Sequence, residues 1–257
     1  MKYKMTVLLA CALLLSNGWA RAADKNGDVL PRRFSDAMTW NLQNRVEDIT
    51  ITKVAVPSDS ASRPGAAEKG KAPSLPDRVS QGSAARNVTE NGVLEDQVFG
   101  STGNDENALR VTGTLVTLKN VEIMKEEGTS SSTESGDFYG MNAALLATGG
   151  ARVTIEDSSV HSVALNGNGL FSYGKGTGIF AKNVTITTEG SHSGGLQTTG
   201  GALMEAENVT VSTAGNSSAA IRSDRGGGTV LVKGGTFRTE GYGSPAIYST
   251  ADISIEG

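Results

Sequence analysis

Two short stretches, Asn183-Val184-Thr185-Ile186 and Asn208-Val209-Thr210-Val211, are near copies of each other 25 residues apart. In both, β-branched apolar residues alternate with threonine, and Val153-Thr154-Ile155 repeats the pattern earlier in the chain. An alternation with a period of two predicts a β-strand that has one buried and one solvated face. Recurrence at a fixed spacing predicts a solenoid in which each unit adds one coil.

Two sets of equivalent positions extend this repeat along the chain. Successive members lie 23 to 26 residues apart, except for a first step of 36 or 37 residues, which we attribute to an inserted loop at residues 126–140. The aliphatic set is Leu109, Leu145, Leu170, Leu196, Ile221 and Ile247. The second set is Asn120, Asp157, Asn183, Asn208, Gly234 and Gly257.

The second set predicts a turn, because Asn, Asp and Gly adopt the left-handed αL conformation most readily. An Asn there could also hydrogen-bond to its equivalent one coil away, which would build a ladder along the axis. The aliphatic set predicts a buried stack, beside which small residues would let the chain turn tightly. These small residues are Ala144, Gly169, Gly195, Ala220 and Ala246.

Residues 107–257 therefore predict an all-β fold, a right-handed parallel β-helix with coils of about 25 residues. No segment shows a helical period, and none is long enough to supply a crossover helix. Turns between short strands must then close each coil. One coil cannot cover its own apolar face, so stacked coils bury a continuous core.

Residues 1–22 predict a secretory signal peptide. Lys2 and Lys4 form a basic start, an apolar run follows, and Ala20-Arg21-Ala22 matches the small-x-small cleavage pattern, so that the mature chain would begin at Ala23. The apolar run is shorter than the ~20 residues that a membrane-spanning helix needs.

A competing interpretation takes Leu8-Leu9-Ala10-Cys11 as a lipoprotein acylation box. We favour cleavage after Ala22, because acylation at Cys11 would leave the apolar residues 12–15 outside the signal. Cys11 is the only cysteine, so the mature chain would have none. Its stability would then depend on packing and hydrogen bonding rather than on the disulfides common in secreted domains.

Residues 23–106 predict a polar leader. Five of the six prolines lie there, and residues 58–83 contain almost no large apolar side chains, which favours a flexible linker. Residues 49–56 alternate like a single strand. The formal net charge is −4 and the basic residues are scattered, so nothing indicates nucleic-acid binding.

The repeated Asn-Val-Thr-Ile and Asn-Val-Thr-Val segments, followed by Gly-rich turns, resemble the passenger region of autotransporter adhesins, including pertactin-like proteins with the pectin-lyase-like β-helix. The resemblance covers residues 107–257. It implies a surface-displayed passenger that a C-terminal β-barrel delivers through the outer membrane. The sequence contains no barrel and stops within a unit at Ile255-Glu256-Gly257. We therefore expect it to be part of a longer chain.

The acidic residues form no catalytic pattern, although glycoside hydrolysis needs paired carboxylates on one face. Glu156 and Asp157 are adjacent and would point to opposite faces. Glu205 and Glu207 share a face without a basic partner, and we interpret them as solvated surface charges. The resemblance to β-helix pectinases would require Asn-Thr-Asp, Asp-Asp and Gly-His-Gly segments, which the sequence lacks.

The two histidines, His161 and His192, fall at different positions of the repeat, so we do not expect a shared metal site. We place His192 in an exposed turn. The sequence thus nominates no catalytic, cofactor-binding or metal-binding residue, and we expect no enzyme and no cofactor.

We expect a non-catalytic, surface-displayed or secreted protein whose loops bind a glycan, a matrix protein or a neighbouring cell. Loops on a rigid scaffold often carry recognition, and the candidates are residues 126–140 and 163–178. The alternative is a carbohydrate-active enzyme, a polysaccharide lyase or glycoside hydrolase, whose catalytic coils lie outside this sequence.

Overall fold

The computed structural model describes residues 79–257 and the backbone of three short strands nearer the N-terminus. From Ser83 onward the chain forms a β-solenoid of about seven stacked coils, each close to 26 residues long. A coil has three faces separated by turns, and equivalent strands of successive coils pair in parallel. The predicted all-β solenoid of parallel strands is confirmed.

The first face is a sheet of seven parallel strands in chain order. Its strands are Ser83–Val88, Glu106–Thr112, Leu145–Thr148, Leu170–Tyr173, Leu196–Thr199, Ile221–Ser223 and Ile247–Ser249. The aliphatic set pairs residue by residue from Leu109 to Ile247. Its first five side chains are fully buried and Ile247 packs at the margin of the core. The predicted stack is confirmed.

The second and third faces meet at a sharp turn, and two strands run through it without interruption. The second face holds Gly92–Glu95, Leu115–Lys119, Arg152–Glu156, Gly178–Lys182 and Asp252–Glu256. The third face holds Val98–Ser101, Glu122–Lys125, Ser159–Ser162 and Thr185–Thr188. The shared strands are Ala202–Thr213 and Gly228–Thr239.

The turn between these faces is the predicted αL position. Positive φ angles occur at Asn120, Asp157, Asn183, Asn208 and Gly234, and at Asp96 one coil earlier. Gly257 is not among the glycines with positive φ. The side-chain ladder is present as well: Asn208 Nδ2 donates to Asn183 Oδ1, and Asn183 Nδ2 donates to Asp157 Oδ1, both at 2.8 Å.

Small residues are needed beside the aliphatic stack, as expected. A Cβ atom at Gly169 would overlap the side chain of Ile186, and one at Gly195 would overlap that of Val211. The chain therefore enters the first face close against the inward side chains of the third face. A side chain at either glycine would prevent the coil from closing this tightly.

The solenoid begins earlier than the sequence predicted. Residues 83–101, which were assigned to the leader, form a complete first coil with one strand on each face. These strands pair in parallel with those of the second coil. The repeat was hidden because Arg86 occupies the aliphatic position of this coil, opposite Leu109, so the first coil presents a polar residue at the end of the stack.

The sequence predicted an inserted loop at residues 126–140. The insertion instead contains a helix, α1, at Thr133–Tyr139. Ser132 caps its N-terminus by accepting a hydrogen bond from Ser135 N, and Gly140 ends it in the αL conformation. Seven residues are too few to show a helical period, which explains why the sequence did not reveal α1.

The three other strands lie near the N-terminus. Lys4–Val7 pairs antiparallel with Asp252–Glu256, and Ala23–Asp24 pairs antiparallel with Ile49–Thr50. Ile49–Thr50 begins the segment that sequence alternation predicted as a strand. The remainder of that segment, the linker and most of the expected signal peptide lie outside the described residues.

Candidate functional site

Helix α1 lies on the outer side of the first face. The outward positions of this face hold Leu146 and Phe171, which would be exposed on a bare solenoid and are instead completely buried. They form a small apolar cluster with Ala143 and Tyr173. Tyr173 also meets Tyr139 of α1 edge to face, with ring centroids 5.6 Å apart.

Hydrogen bonds to the C-terminal carbonyls of α1 fix its position. Gln197 Nε2 donates to the carbonyl oxygen of Asp137 at 2.5 Å, and Thr199 Oγ1 donates to that of Phe138 at 2.7 Å. These partners belong to the fifth coil, about 60 residues away in sequence. The last carbonyls of a helix lack partners within it, so the solenoid side chains satisfy groups that α1 cannot.

The carboxyl group of Asp137 is the polar centre of this contact. Asn166 Nδ2 donates to Oδ1 at 2.8 Å, and Arg222 Nη1 lies 3.6 Å from the same oxygen. His192 Nδ1 lies 3.3 Å from Oδ2. Burial raises the pKa of the Asp137 carboxyl, and Arg222 and His192 oppose that rise by favouring its charged form.

Arg222 connects α1 to the last two coils. Its Nε and Nη2 both donate to Asp224 Oδ2, at 3.0 and 2.7 Å. Its guanidinium carbon lies 5.9 Å from the ring centroid of Phe138 and 5.5 Å from that of Tyr248. Both distances are within the range of a cation–π contact, so the guanidinium is fixed by two carboxylates and two rings.

A cleft of about 260 Å³ opens beside this cluster, and we call it the helix cleft. Asp137 stands on one side, and the outward residues Arg222 and Tyr248 of the first face are neighbours in adjacent coils. The remaining lining residues are His192, Ser217, Ala219, Gly243 and Pro245.

The turn from the third face to the next first face supplies the other side of the cleft. His192, Ser217 and Gly243 take the same place in successive coils, and all three have positive φ. His192 N donates to Asn216 O at 2.8 Å, and Ser217 N donates to Tyr242 O at 3.0 Å. Stacked backbones thus bring a histidine, a serine and a bare glycine to adjacent rungs of one wall.

The structure differs from the sequence prediction at both candidate recognition segments. Residues 126–140 contribute Asp137 to the helix cleft, but through a docked helix rather than an open loop. Residues 163–178 contain the first-face strand Leu170–Tyr173 and so do not form one continuous loop. His161 lies on the third face, where its Nε2 is 3.9 Å from Glu189 Oε1, while His192 is about one-third exposed in its turn.

The interpretation of Glu205 as a solvated surface charge is wrong. Its side chain is fully buried on the outer side of the second face, beside Phe180 and Arg152 in a shallow pocket. Within the described residues neither carboxyl oxygen has a hydrogen-bond partner. Burial raises the pKa of Glu205 to about 8, against a smaller opposing effect of Arg152. Glu207, in contrast, is partly exposed and lies 3.4 Å from Lys182.

Lys125 is a further buried ionisable group. It is the last residue before the insertion, and its side chain points into the solenoid. Its Nζ donates to Gly103 O at 2.5 Å and to Ser101 Oγ at 3.2 Å. Burial lowers the pKa of Lys125, and the negative charges of Glu106 and Asp105 oppose this effect. The sequence did not indicate it, because the equivalent inward position holds Ser162 and Thr188 in the next two coils.

One feature of the sequence does indicate the covered face beside the cleft. The residues that follow the aliphatic set point outward, and two of them, Leu146 and Phe171, are large and apolar. Such residues indicate that another element covers the face. Arg222 and Tyr248 follow in the same column, but only the fold shows that Asp137 and His192 lie next to them.

In the part of the chain that the structure describes, no group of three or more His, Cys, Asp or Glu residues could hold a metal ion. No helix in residues 79–257 is long and apolar enough to span a membrane. Comparisons with protein-family models, with characterised proteins and with solved structures found no match.

Proposed function

We propose that this protein is exported and displayed or secreted as a non-catalytic β-solenoid, and that it binds an extracellular ligand through the side that carries α1. The observation that supports the proposal is the helix cleft. There, helix α1, the turns between the third and first faces, and the outward residues of the first face meet around the cluster of Asp137, Arg222 and Asp224.

The construction of the cleft suits binding. Arg222 and Asp137 are held by several contacts each, so little side-chain freedom is lost when a ligand arrives. The surrounding solenoid is a rigid support, since each coil pairs with its neighbours along the axis. Export follows from the signal-peptide pattern, and the ligands proposed from the sequence are a glycan, a matrix protein or a neighbouring cell surface.

The test uses the mature chain, residues 23–257, labelled and applied to cultured cells, to immobilised matrix proteins and to arrayed glycans. We expect saturable binding to at least one of these. A variant with Thr133–Tyr139 replaced by a Gly-Ser segment of equal length should lose it, whereas Thr185→Asp on the exposed third face should not. Absence of binding to all three surfaces, or binding that survives loss of α1, would contradict the proposal.

One observation favours a carbohydrate-active enzyme whose catalytic pair lies in the helix cleft, rather than in coils outside this sequence as in the alternative stated above. His192 Nδ1 lies 3.3 Å from Asp137 Oδ2 in an open cleft, and a carboxylate in this position orients histidine as a general base. Incubation with polysaccharides would then release new reducing ends or unsaturated products, and His192→Ala would abolish the release. Turnover of this kind would replace the binding proposal by the enzymatic one.

A further inference from the structure

We infer that the helix cleft binds a neutral saccharide, with a sugar ring placed against Tyr248 and sugar hydroxyls bonded to His192 and Ser217. This inference rests on the proposed binding function and names the ligand class of the same site. Three features of the cleft lead to it: its paired charged side chains, its aromatic surface and its exposed polar atoms.

The charged side chains of the cleft already contact one another. Arg222 faces Asp137 and Asp224, so its positive charge is opposed by two carboxylates within 3.6 Å. An anionic ligand would meet these carboxylates, and a cationic ligand would meet an Arg222 whose partners are engaged. A neutral ligand that both donates and accepts hydrogen bonds has neither conflict, and it leaves no buried charge without a partner.

Tyr248 provides an aromatic surface that is held in place. It is 42% exposed, although it lies in the outward column of the first face next to Arg222. The guanidinium over its ring fixes the orientation of the side chain at a distance of 5.5 Å. An exposed tyrosine ring of fixed orientation offers apolar area at little entropic cost, which suits the apolar face of a pyranose ring.

Polar atoms surround this surface. His192 keeps 34% of its side chain exposed while its Nδ1 is turned to Asp137, and Ser217 is exposed on the next rung of the same wall. Gly243 follows, and its lack of a side chain keeps the wall open at the level of Tyr248. A site built to bond hydroxyl groups discriminates strongly against ligands that lack them.

The experiment measures binding of neutral trisaccharides (cellotriose, mannotriose and chitotriose) to the mature chain by saturation-transfer NMR and titration calorimetry. Trigalacturonic acid and spermidine serve as anionic and cationic probes. We expect at least one neutral trisaccharide to bind saturably, with competition among those that bind, and we expect no saturable binding of the charged probes.

Variants locate the site. Tyr248→Ala should weaken binding roughly tenfold or more through loss of the stacked ring, and Tyr248→Phe should retain most of it. The matched control is Tyr242→Ala, since Tyr242 is 88% exposed in the neighbouring turn and does not line the cleft. His192→Gln should reduce affinity less than Tyr248→Ala.

Three results would overturn the inference: failure of every neutral trisaccharide to bind, preference for a charged probe, or binding that Tyr248→Ala leaves unchanged. Each can be separated from failure of the proposed function. If cells or matrix proteins are bound but saccharides are not, the binding function stands and the ligand class is wrong. If no extracellular surface is bound, both are wrong.

Discussion

At the scale of single residues, an outward position on a solenoid face does not guarantee contact with water. Glu205 occupies such a position, between Phe180 of the preceding coil and Leu231 of the following one, and is nevertheless fully buried. Thr154, two coils before it in the same column, remains partly exposed. The difference lies in the three-dimensional surroundings, because both positions look alike in the alternation.

The raised pKa of Glu205 predicts a pH-dependent stability. The folded chain holds the Glu205 proton up to pH of about 8, whereas an unfolded carboxyl releases it near 4.5. Stability from this group is therefore complete below about pH 4.5 and is lost progressively as the pH rises towards 8, by at most about 1.4 kcal/mol per pH unit. Urea unfolding between pH 5 and about 8 would measure the loss.

Glu205→Gln should remove most of this slope and raise the free energy of unfolding at neutral pH, because a neutral amide replaces the buried acid. The control is Glu207→Gln, which changes a partly exposed carboxyl on the same strand. If Glu205→Gln leaves the pH profile as it is in the wild type, then the burial of Glu205 does not govern the titration.

The αL turn at Asn208 allows a second prediction at this scale, which concerns the free energy of unfolding. Asn208 has a φ of 52° and bonds to Asn183. Asn208→Ala should lower the free energy of unfolding by about 1–2 kcal/mol, because alanine resists the left-handed region. Asn208→Gly should lower it less, since glycine adopts this conformation freely and loses only an exposed hydrogen bond. Equal losses in the two variants would show that the ladder, not the turn conformation, matters.

At the scale of elements, inward and outward positions of the strands should respond very differently to a charge. Leu196 is fully buried in the aliphatic stack, and Thr185 is exposed on the third face. Leu196→Asp should lower the free energy of unfolding by roughly 4 kcal/mol or more, since it buries a carboxylate without a partner. Thr185→Asp should change it by less than about 0.5 kcal/mol. Thermal unfolding monitored by circular dichroism would test both.

Helix α1 is the other element with a separable role. Replacing Thr133–Tyr139 by a Gly-Ser segment should uncover Leu146 and Phe171 and so increase binding of an apolar dye, while the β-sheet circular dichroism spectrum persists. Adding Leu146→Thr and Phe171→Thr to this variant should return dye binding to the wild-type level. Loss of the β-sheet spectrum on removing α1 would instead mean that the helix is required for folding.

At the scale of the whole molecule, export remains a prediction from the N-terminal sequence. Expression of the intact chain in a bacterial host should yield an exported protein whose N-terminus, determined by mass spectrometry, is Ala23. Cys11→Ala should not affect processing. An acylated Cys11 at the N-terminus would support the lipoprotein interpretation, and an uncleaved product would contradict both.

Much of the solenoid was predictable because it depends on local rules that repeat. The αL turn needs Asn, Asp or Gly, and the stack needs an aliphatic residue in each coil, so residues as far apart as Leu109 and Ile247 carry the same signal. The first coil was not predicted, because Arg86 stands where the other coils have an aliphatic residue. Helix α1 was not predicted, because seven residues are too few to show a helical period.

The candidate site was less predictable for a different reason. Asp137 and His192 are 55 residues apart, and Asp137 and Arg222 are 85 apart, with no repeat relating them. An insertion can dock on any face, and its sequence does not state which one. The choice depends on the large outward residues Leu146 and Phe171, which α1 covers, and on side chains such as Gln197 and Thr199 that satisfy the last carbonyls of α1.

The coil, its period, its αL turn and its buried stack can be predicted from the residue pattern alone, because each follows from the conformational preference or burial of residues that recur every 25 or 26 positions. The position of α1, the burial of Glu205 and the cleft lined by Asp137, His192, Arg222 and Tyr248 are visible only in the folded chain. Those outcomes depend on contacts between unique segments, and periodic patterns carry no information about such contacts.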